Sequence, residues 1–182
     1  MTGRLVLVVG PSGVGKDSIL RYAMARFAGD SRYVFPRRCV TRAVDAAAED
    51  HDSLDDQVFD AQAAQGAFVL MWEAHGHKYG VRNGINAELE LGRIVAVNVS
   101  RTILGKIASQ YQNAVVAEIA ADPHVRAARL AARGREAGDA ILLRTQRHVE
   151  TFVHSLQVRV IKNDGKIADA GEEFCRLLKE LP

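Results

Sequence analysis

A glycine-rich run ending in lysine lies near the start of the chain. Residues 10–17 read Gly-Pro-Ser-Gly-Val-Gly-Lys-Asp and match G-x-x-x-x-G-K-[ST] at every fixed position except the last. In such loops the glycines let backbone N–H groups point at phosphate oxygens, and the lysine neutralises charge that moves during phosphoryl transfer. We therefore expect Lys16 to be catalytic. The residues expected to bind the nucleotide phosphates are Gly10, Pro11, Ser12, Gly13, Val14, Gly15, Lys16, Asp17 and Ser18.

Asp17 stands where this pattern has a hydroxyl that ligates Mg²⁺. One interpretation is an acidic residue in the first turn of a helix, which the helix dipole favours. The other is that Asp17 ligates Mg²⁺ directly or through water, because hard cations prefer carboxylate oxygen. Neighbouring Ser18 is the rival ligand, so the magnesium site is predicted at Asp17 with Ser18 as the alternative.

The loop lies between an apolar run, 4–9, and a stretch with apolar residues at helical spacing. Further apolar runs predict strands at 33–40, 68–72, 94–97, 114–119 and 158–161. Between them we expect a surface loop at 42–52 and helices at 53–66, opened by a capping box at Ser53, and at 83–91. Another helix starts at Asp122-Pro123 and one more ends the chain. This alternation predicts an α/β protein with a parallel sheet.

Composition excludes several classes of protein. The 182 residues carry a formal net charge of +2, which does not favour bulk nucleic-acid binding or a basic membrane face. No apolar stretch approaches the roughly 18 residues of a membrane span, and the first residues show no secretory pattern. We expect a cytoplasmic protein whose two cysteines, Cys39 and Cys175, are reduced and packed. No sequence pattern indicates an oligomeric state.

Several short motifs extend the similarity beyond the phosphate loop. They are Gly10-Pro11-Ser12-Gly13, Thr41-Arg42, Tyr79-Gly80, Arg133-Gly134-Arg135 and Asn163-Asp164. With these, nearly the whole chain resembles the guanylate kinase-like group. The resemblance implies a P-loop NTPase three-layer fold with a parallel central sheet. It implies one domain, 1–182, with an acceptor-binding insert at about 36–82 and an arginine-rich lid at about 126–147.

The same resemblance assigns roles to individual residues. Arg42 and Tyr79 match residues that hold the acceptor's phosphate, and Arg133 and Arg144 match lid arginines that reach the transferring phosphoryl group. Asn163, with Asp164, is expected to form a turn beside the adenine of ATP.

The chain also departs from guanylate kinases. The second arginine of their acceptor loop is missing, the loop is shorter, and His51 replaces its phosphate-binding tyrosine. The glutamate that pairs with guanine falls on Leu70. A site built to hydrogen-bond a base loses discrimination when its polar partner is apolar. Guanine recognition is therefore expected to be lost while phosphate binding is kept.

This combination is similar to the ribose 1,5-bisphosphate phosphokinase family, which serves the carbon–phosphorus lyase pathway of phosphonate use. The residues that carry this resemblance are Gly10 to Ser18, Glu49-Asp50-His51, Trp72 to Gly80, Asn98-Val99-Ser100-Arg101 and Arg133 to Glu136. Val99 departs from the glycine expected there. The resemblance implies a kinase that uses ATP and Mg²⁺ on a phosphorylated sugar, with no nucleic-acid or membrane partner.

The expected acceptor-binding residues combine these matches with strand ends and loop histidines. They are Arg42, His51, His75, Tyr79, Asn98, Ser100, Arg101 and Arg135. Asn98, Ser100 and Arg101 follow a strand, where ligand groups of open α/β sheets lie, and contact acceptor or magnesium. The two histidines are either ligands or solvated loop residues. Arg126 and Arg129 are interpreted as a solvated helix face, and Trp72 as core.

Two other functions stay open. One is a nucleoside-monophosphate kinase with altered base choice, against which Leu70 counts for guanine. The other is a non-catalytic interaction module, and modules of that kind commonly lose the phosphate loop or the lid arginines that this chain retains.

Overall fold

The computed structural model describes residues 3–42, 51–132 and 155–182. In chain order the strands are β1 (Arg4–Val9), β2 (Tyr33–Val34), β3 (Arg38–Val40), β4 (His51–Ser53), β5 (Phe68–Ala74), β6 (His77–Arg82), β7 (Ile94–Asn98), β8 (Val115–Ala120) and β9 (Gln157–Lys162). The helices are α1 (Lys16–Arg26), α2 (Asp56–Ala64), α3 (Ile85–Glu90), α4 (Leu104–Gln110), α5 (Pro123–Ala132) and α6 (Ile167–Glu180), with a 3-10 turn at Arg101–Ile103.

A parallel five-stranded sheet of order β2-β7-β1-β8-β9 forms the centre of the fold. The central strand β1 is apolar on both faces because both faces are covered. Val6 and Val8 pack with residues of α1 and α6, including Phe174. Leu5 and Leu7 pack on the other side with residues of α3 and α4. The predicted three-layer α/β fold with a parallel central sheet is confirmed.

A second sheet of order β4-β3-β6-β5 occupies residues 38–82, within the range predicted for an insert. Strands β5 and β6 are an antiparallel hairpin whose two turn residues, His75 and Gly76, have φ values of 54° and 73°. Positive φ at both turn positions matches the twist of a two-residue hairpin. The two faces of β3 are buried differently. Val40 joins the core shared with β1, and Cys39 joins a smaller cluster with Phe59 and Phe68.

The predicted strand at 33–40 is wrong in one respect, because it is two strands in two sheets. Residues 33–34 form β2 beside β7, and residues 38–40 form β3 in the second sheet. Pro36 lies between them and has no N–H for a ladder hydrogen bond. The chain therefore leaves one sheet and enters the other at this proline.

Three other boundaries also differ. The loop expected at 42–52 ends early, because His51 and Asp52 belong to β4. Ser53 is the last residue of that strand, and α2 is capped by Asp55, whose carboxylate accepts from Val58 N at 2.7 Å. The helix predicted at 83–91 is shorter, Ile85–Glu90.

Both cysteines are free thiols, fully buried, as expected from their apolar surroundings. Burial raises the pKa of each thiol, which keeps it protonated. None of the described helices combines the length and apolar character that crossing a membrane requires.

Candidate active site

The phosphate loop connects β1 to α1 through three glycines with positive φ. Gly10, Gly13 and Gly15 have φ values of 144°, 83° and 91°, which other residues adopt at a cost. The N-cap residue of α1 is Gly15, so it has no side chain to cap the first N–H groups of the helix. These N–H groups are the ones that bind phosphate at a helix N-terminus. Lys16 Nζ lies over the loop and donates to Gly10 O at 2.8 Å and to Pro11 O at 3.2 Å.

Asn163 holds the loop from the opposite end of the chain. Its side chain is 1% exposed, and Nδ2 donates to Val14 O at 2.7 Å. Arg129 Nη1 donates to the Asn163 carbonyl at 2.8 Å. The Asn163 Oδ1 atom is buried and has no hydrogen-bond partner among the described residues. A buried acceptor of this kind, beside a phosphate loop, fits a nucleotide that brings an amino donor, because an unmet acceptor costs about 1–3 kcal/mol.

Asp17 connects the loop to the end of a neighbouring strand. Its Oδ1 atom accepts from Asn98 Nδ2 at 2.7 Å and lies 4.0 Å from Arg38 Nη2. Asn98 is the last residue of β7 and is 6% exposed. The described residues contain no cluster of three metal-ligating side chains. The Asp17 carboxylate is an oxygen ligand of the kind that Mg²⁺ takes in nucleotide sites.

Arg38 was not singled out by sequence reasoning. It is 8% exposed, on the face of the second sheet that carries Val40. Its guanidinium carbon lies 5.8 Å from the ring centroid of Trp72 and 5.5 Å from that of Tyr79. The two rings are parallel within 5°, with centroids 5.3 Å apart. Strand alternation places Arg38 on the same side of β3 as Val40, but no local pattern marks that side as facing the phosphate loop.

Other residues predicted on the acceptor side lie around this sheet. Arg42 lies two residues after the end of β3, and Tyr79 is a buried residue of β6. His51 is not in a loop; it pairs with Arg38 in the sheet, is 1% exposed, and its Nε2 lies 3.3 Å from Arg42 O. Burial lowers the pKa of His51, and the neighbouring arginines lower it further. His75 is exposed at the tip of the hairpin, as its loop position implied.

Leu70 and Trp72 occupy the core rather than a binding surface. Leu70 is 1% exposed and Trp72 is 8% exposed, and both pack with Tyr79 against residues of the central sheet. The interpretation of Trp72 as core is confirmed. Leu70 presents neither a polar group nor an open surface to a base.

Two further elements lie beside the phosphate loop, the end of β7 and helix α5. Ser100 caps the 3-10 turn by accepting from Thr102 N. Arg101 is partly buried, which lowers its pKa, while the Glu118 carboxylate opposes that effect. Arg126 is 7% exposed, and its Nε donates to Ser12 O of the loop at 3.4 Å.

The interpretation of Arg126 and Arg129 as a solvated face is therefore wrong. Arg126 points at the phosphate loop, and Arg129 holds the Asn163 and Gly165 carbonyls. Burial and the nearby Arg101 cation lower the pKa of Arg126. Their spacing placed both arginines on one helix face. That face is the one that packs on the loop, because Leu130 lies 3.1 Å from the position of a Cβ on Gly13.

The predicted lid arginines, Arg133, Arg135 and Arg144, lie outside the described residues. The described part of helix α5 extends to Ala132.

The fold is that of a known kinase. The structure resembles the crystal structure of guanylate kinase from Anaplasma phagocytophilum with a TM-score of 0.73, covering 98% of this chain and 85% of that one at 14% identity. A likeness at this identity establishes the fold alone. No model of a known protein family matches the chain.

Sequence relatives are closer. The chain is 38% identical to the ribose 1,5-bisphosphate phosphokinase PhnN of Agrobacterium fabrum, over 97% of this chain and 96% of the relative. It is 41% identical to the protein of that name from Thiobacillus denitrificans, over 98% of this chain and 94% of the relative. It is 42% identical to the one from Bradyrhizobium diazoefficiens, over 97% and 88%. With the phosphate loop formed and matches of this length, the chain belongs to the ribose 1,5-bisphosphate phosphokinase family.

Proposed function

We propose that this protein transfers the γ-phosphate of ATP to the 1-phosphate of ribose 1,5-bisphosphate, giving 5-phospho-α-D-ribose 1-diphosphate and ADP. An oxygen of the acceptor's 1-phosphate forms a bond to the γ-phosphorus, and the bond from that phosphorus to the β,γ-bridging oxygen breaks. The acceptor oxygen is already anionic, so the step requires no general base. Catalysis is then positioning and stabilisation of charge in a loose transition state.

The described residues supply the nucleotide half of this reaction. The loop amides and the first N–H groups of α1 bind the phosphates, and the Lys16 ammonium lies over the same loop. Asn163 holds the loop by donating from Nδ2 to the Val14 carbonyl, and its Oδ1 atom is an acceptor for the nucleotide. Asp17 or Ser18 would hold Mg²⁺, which would supply positive charge against the phosphates of the nucleotide.

The acceptor half is assigned to the second sheet and to the end of β7. We place the sugar phosphates against Arg42, Tyr79, Asn98 and Arg101, with Ser100, His75 and Arg135 as further contacts. His51 is buried behind Arg42, so it contributes by holding that residue's backbone. Residues 36–82 are then the acceptor insert, and 126–147 the lid that brings Arg133 and Arg144 to the transferring group.

One observation favours a sugar over a nucleobase as the acceptor. The position where a guanylate kinase carries its base-reading glutamate is Leu70, and Leu70 is 1% exposed inside the core. A base placed there would bury its polar edge without partners, at a cost of several kcal/mol in all, at about 1–3 kcal/mol for each unmet group.

The experiment that tests the proposal compares acceptors. The purified protein is incubated with Mg²⁺-ATP and either ribose 1,5-bisphosphate or GMP, and the products are separated by ion-exchange chromatography. We expect 5-phospho-α-D-ribose 1-diphosphate to form and GDP not to form. GDP formation without turnover of the sugar bisphosphate would establish a nucleoside-monophosphate kinase. Failure to bind Mg²⁺-ATP at all would establish a non-catalytic module.

A further inference from the structure

The second sheet carries a buried cation on the side that faces the phosphate loop. Arg38 has 10% of its side-chain surface exposed, and it lies on the same face of β3 as Val40, which packs against the central sheet. Arginine is almost never buried to this extent unless its charge has a partner, and here Asp17 is one. Its position between the two sheets is the observation from which the inference starts.

Two aromatic rings hold this guanidinium in place. Trp72 and Tyr79 are directly opposite one another in the β5–β6 ladder, and their rings are stacked. The Arg38 guanidinium carbon lies within 6 Å of both ring centroids, at 5.8 Å and 5.5 Å. Contact with ring faces stabilises the charged form and fixes the plane of the fork. The side chain is therefore pre-organised rather than free to rotate.

The guanidinium is directed at the point where phosphoryl transfer must occur. Its Nη2 atom lies 4.0 Å from Oδ1 of Asp17, the residue that follows Lys16 at the start of α1. The γ-phosphate is bound beside Lys16, and the attacking oxygen must come within about 3–3.5 Å of the phosphorus. A group next to Asp17 is consequently close to the acceptor phosphate that receives the γ-phosphoryl group, and farther from the other phosphate of the acceptor.

The local charge favours an anion at this point. The carboxylate of Asp17 and the cation of Arg42 are among the groups that act electrostatically on the Arg38 guanidinium. Arg42 lies four residues farther along, at most about 13 Å away along an extended chain. Two cations beside one carboxylate leave an excess of positive charge, which suits a phosphate group.

We propose that Arg38 binds the acceptor phosphate that receives the γ-phosphoryl group, and so selects sugars phosphorylated at the anomeric carbon. This inference rests on the proposed function and adds a residue that determines which acceptor is used. The planar fork binds two phosphate oxygens and leaves the third to attack.

The test uses two half-acceptors and a matched control. Ribose 1-phosphate carries only the anomeric phosphate, and ribose 5-phosphate carries only the other one. Arg38→Met removes the cation, and Arg38→Lys keeps the charge without the fork. The control is Arg82→Met, since Arg82 also stacks on a ring, Phe68 at 5.9 Å, but lies on the outer side of the sheet, where it donates to Gln62.

We expect Arg38→Met to raise the KM for ribose 1,5-bisphosphate by about 10- to 100-fold, the loss of a charged hydrogen-bond pair. Its inhibition constant for ribose 1-phosphate should rise by a similar factor, while that for ribose 5-phosphate is unchanged. Arg38→Lys should show a smaller loss of affinity, again for ribose 1,5-bisphosphate and ribose 1-phosphate but not for ribose 5-phosphate. Arg82→Met should match the wild type in each measurement.

Thermal unfolding and Mg²⁺-ATP binding are measured on every variant. Equal losses of affinity for ribose 1-phosphate and ribose 5-phosphate would overturn the inference, because Arg38 would then act only through long-range electrostatic attraction. Loss of Mg²⁺-ATP binding together with stability would also overturn it, since Arg38 would be a structural partner of Asp17. If Arg38→Met does not fold, Arg38→Lys decides by the same comparison. A wild-type protein that binds neither half-acceptor nor turns over ribose 1,5-bisphosphate would instead refute the proposed function.

Discussion

Replacing Gly15 by alanine tests how the phosphate loop is held. Gly15 has a φ of 91°, and a Cβ there would lie 2.5 Å from Nδ2 of Asn163. The left-handed backbone costs a non-glycine residue about 1 kcal/mol. The Asn163 amide must also withdraw from Val14 O, to which it now donates at 2.7 Å. Losing that bond with the carbonyl still buried costs about 1–3 kcal/mol.

The sum is about 2–4 kcal/mol in the free energy of unfolding. For a chain of 182 residues, each kcal/mol lowers Tm by about 2–4 °C, so a fall of about 4–16 °C is expected. The assay is thermal unfolding followed by circular dichroism, with Mg²⁺-ATP titration to follow the loop. Gly105→Ala is the control, because nothing lies within 4 Å of a Cβ at Gly105 in helix α4. It should leave stability unchanged or raise it by up to about 1 kcal/mol.

A double variant separates the clash from the backbone strain. Asn163→Ala removes the amide that the new methyl group meets, and the bond to Val14 can be lost only once. Asn163→Ala should therefore lower the free energy of unfolding by at least about 1 kcal/mol less in the Gly15→Ala background than in the wild-type protein. Additive effects within about 0.5 kcal/mol would refute the argument that Asn163 and Gly15 are in contact.

Three other outcomes follow from the structure. Lys16→Ala should lower kcat by at least about 100-fold with Tm unchanged, because it removes a charge that stabilises the transition state. Near-normal steady-state rates would exclude Lys16 from the mechanism. Arg126→Met should weaken Mg²⁺-ATP binding by about 3- to 10-fold, the worth of one hydrogen bond. It should also lower the free energy of unfolding in urea by about 1–3 kcal/mol, because the Ser12 carbonyl loses its donor. Unchanged ATP affinity in a folded variant would contradict this. Burial lowers the pKa of His51, so its neutral form stabilises the fold above the ordinary histidine pKa of about 6.5, and this stability is lost as pH falls below that value. His51→Leu should therefore flatten the decline in unfolding free energy between neutral and mildly acidic pH. An unchanged slope would show that other groups cause the decline.

The sequence predicted the central layers well because their patterns are local. A continuous apolar run before the phosphate loop is what a strand covered on both faces requires, and Arg4–Val9 is that strand. The Asp122-Pro123 start of α5 was predicted from capping chemistry, and the Asp122 carboxylate does accept from His124 N. Both signals lie within a few residues of the feature they specify.

The errors arose where tertiary contacts determine the outcome. Arg38 and Arg126 are polar residues in segments that read as ordinary strand and exposed helix, and nothing nearby in sequence reveals that each is buried against the phosphate loop or its first helix. The division of residues 33–40 between two sheets depends on which strands are available to pair, although Pro36 was a visible signal. His51 was assigned to a loop because its strand has only three residues and no apolar pattern.

The hydrogen bond from Asn163 to Val14 has a consequence for synthesis of the protein. The two residues are 149 positions apart, and the strand that precedes Asn163 is β9, at the edge of the central sheet. During translation the phosphate loop is made 149 residues before the amide that holds it. A nascent chain in which Asn163 has not yet been made therefore lacks part of the phosphate loop's support, and a nucleotide bound at the loop would stabilise the fold fully only after that residue is in place.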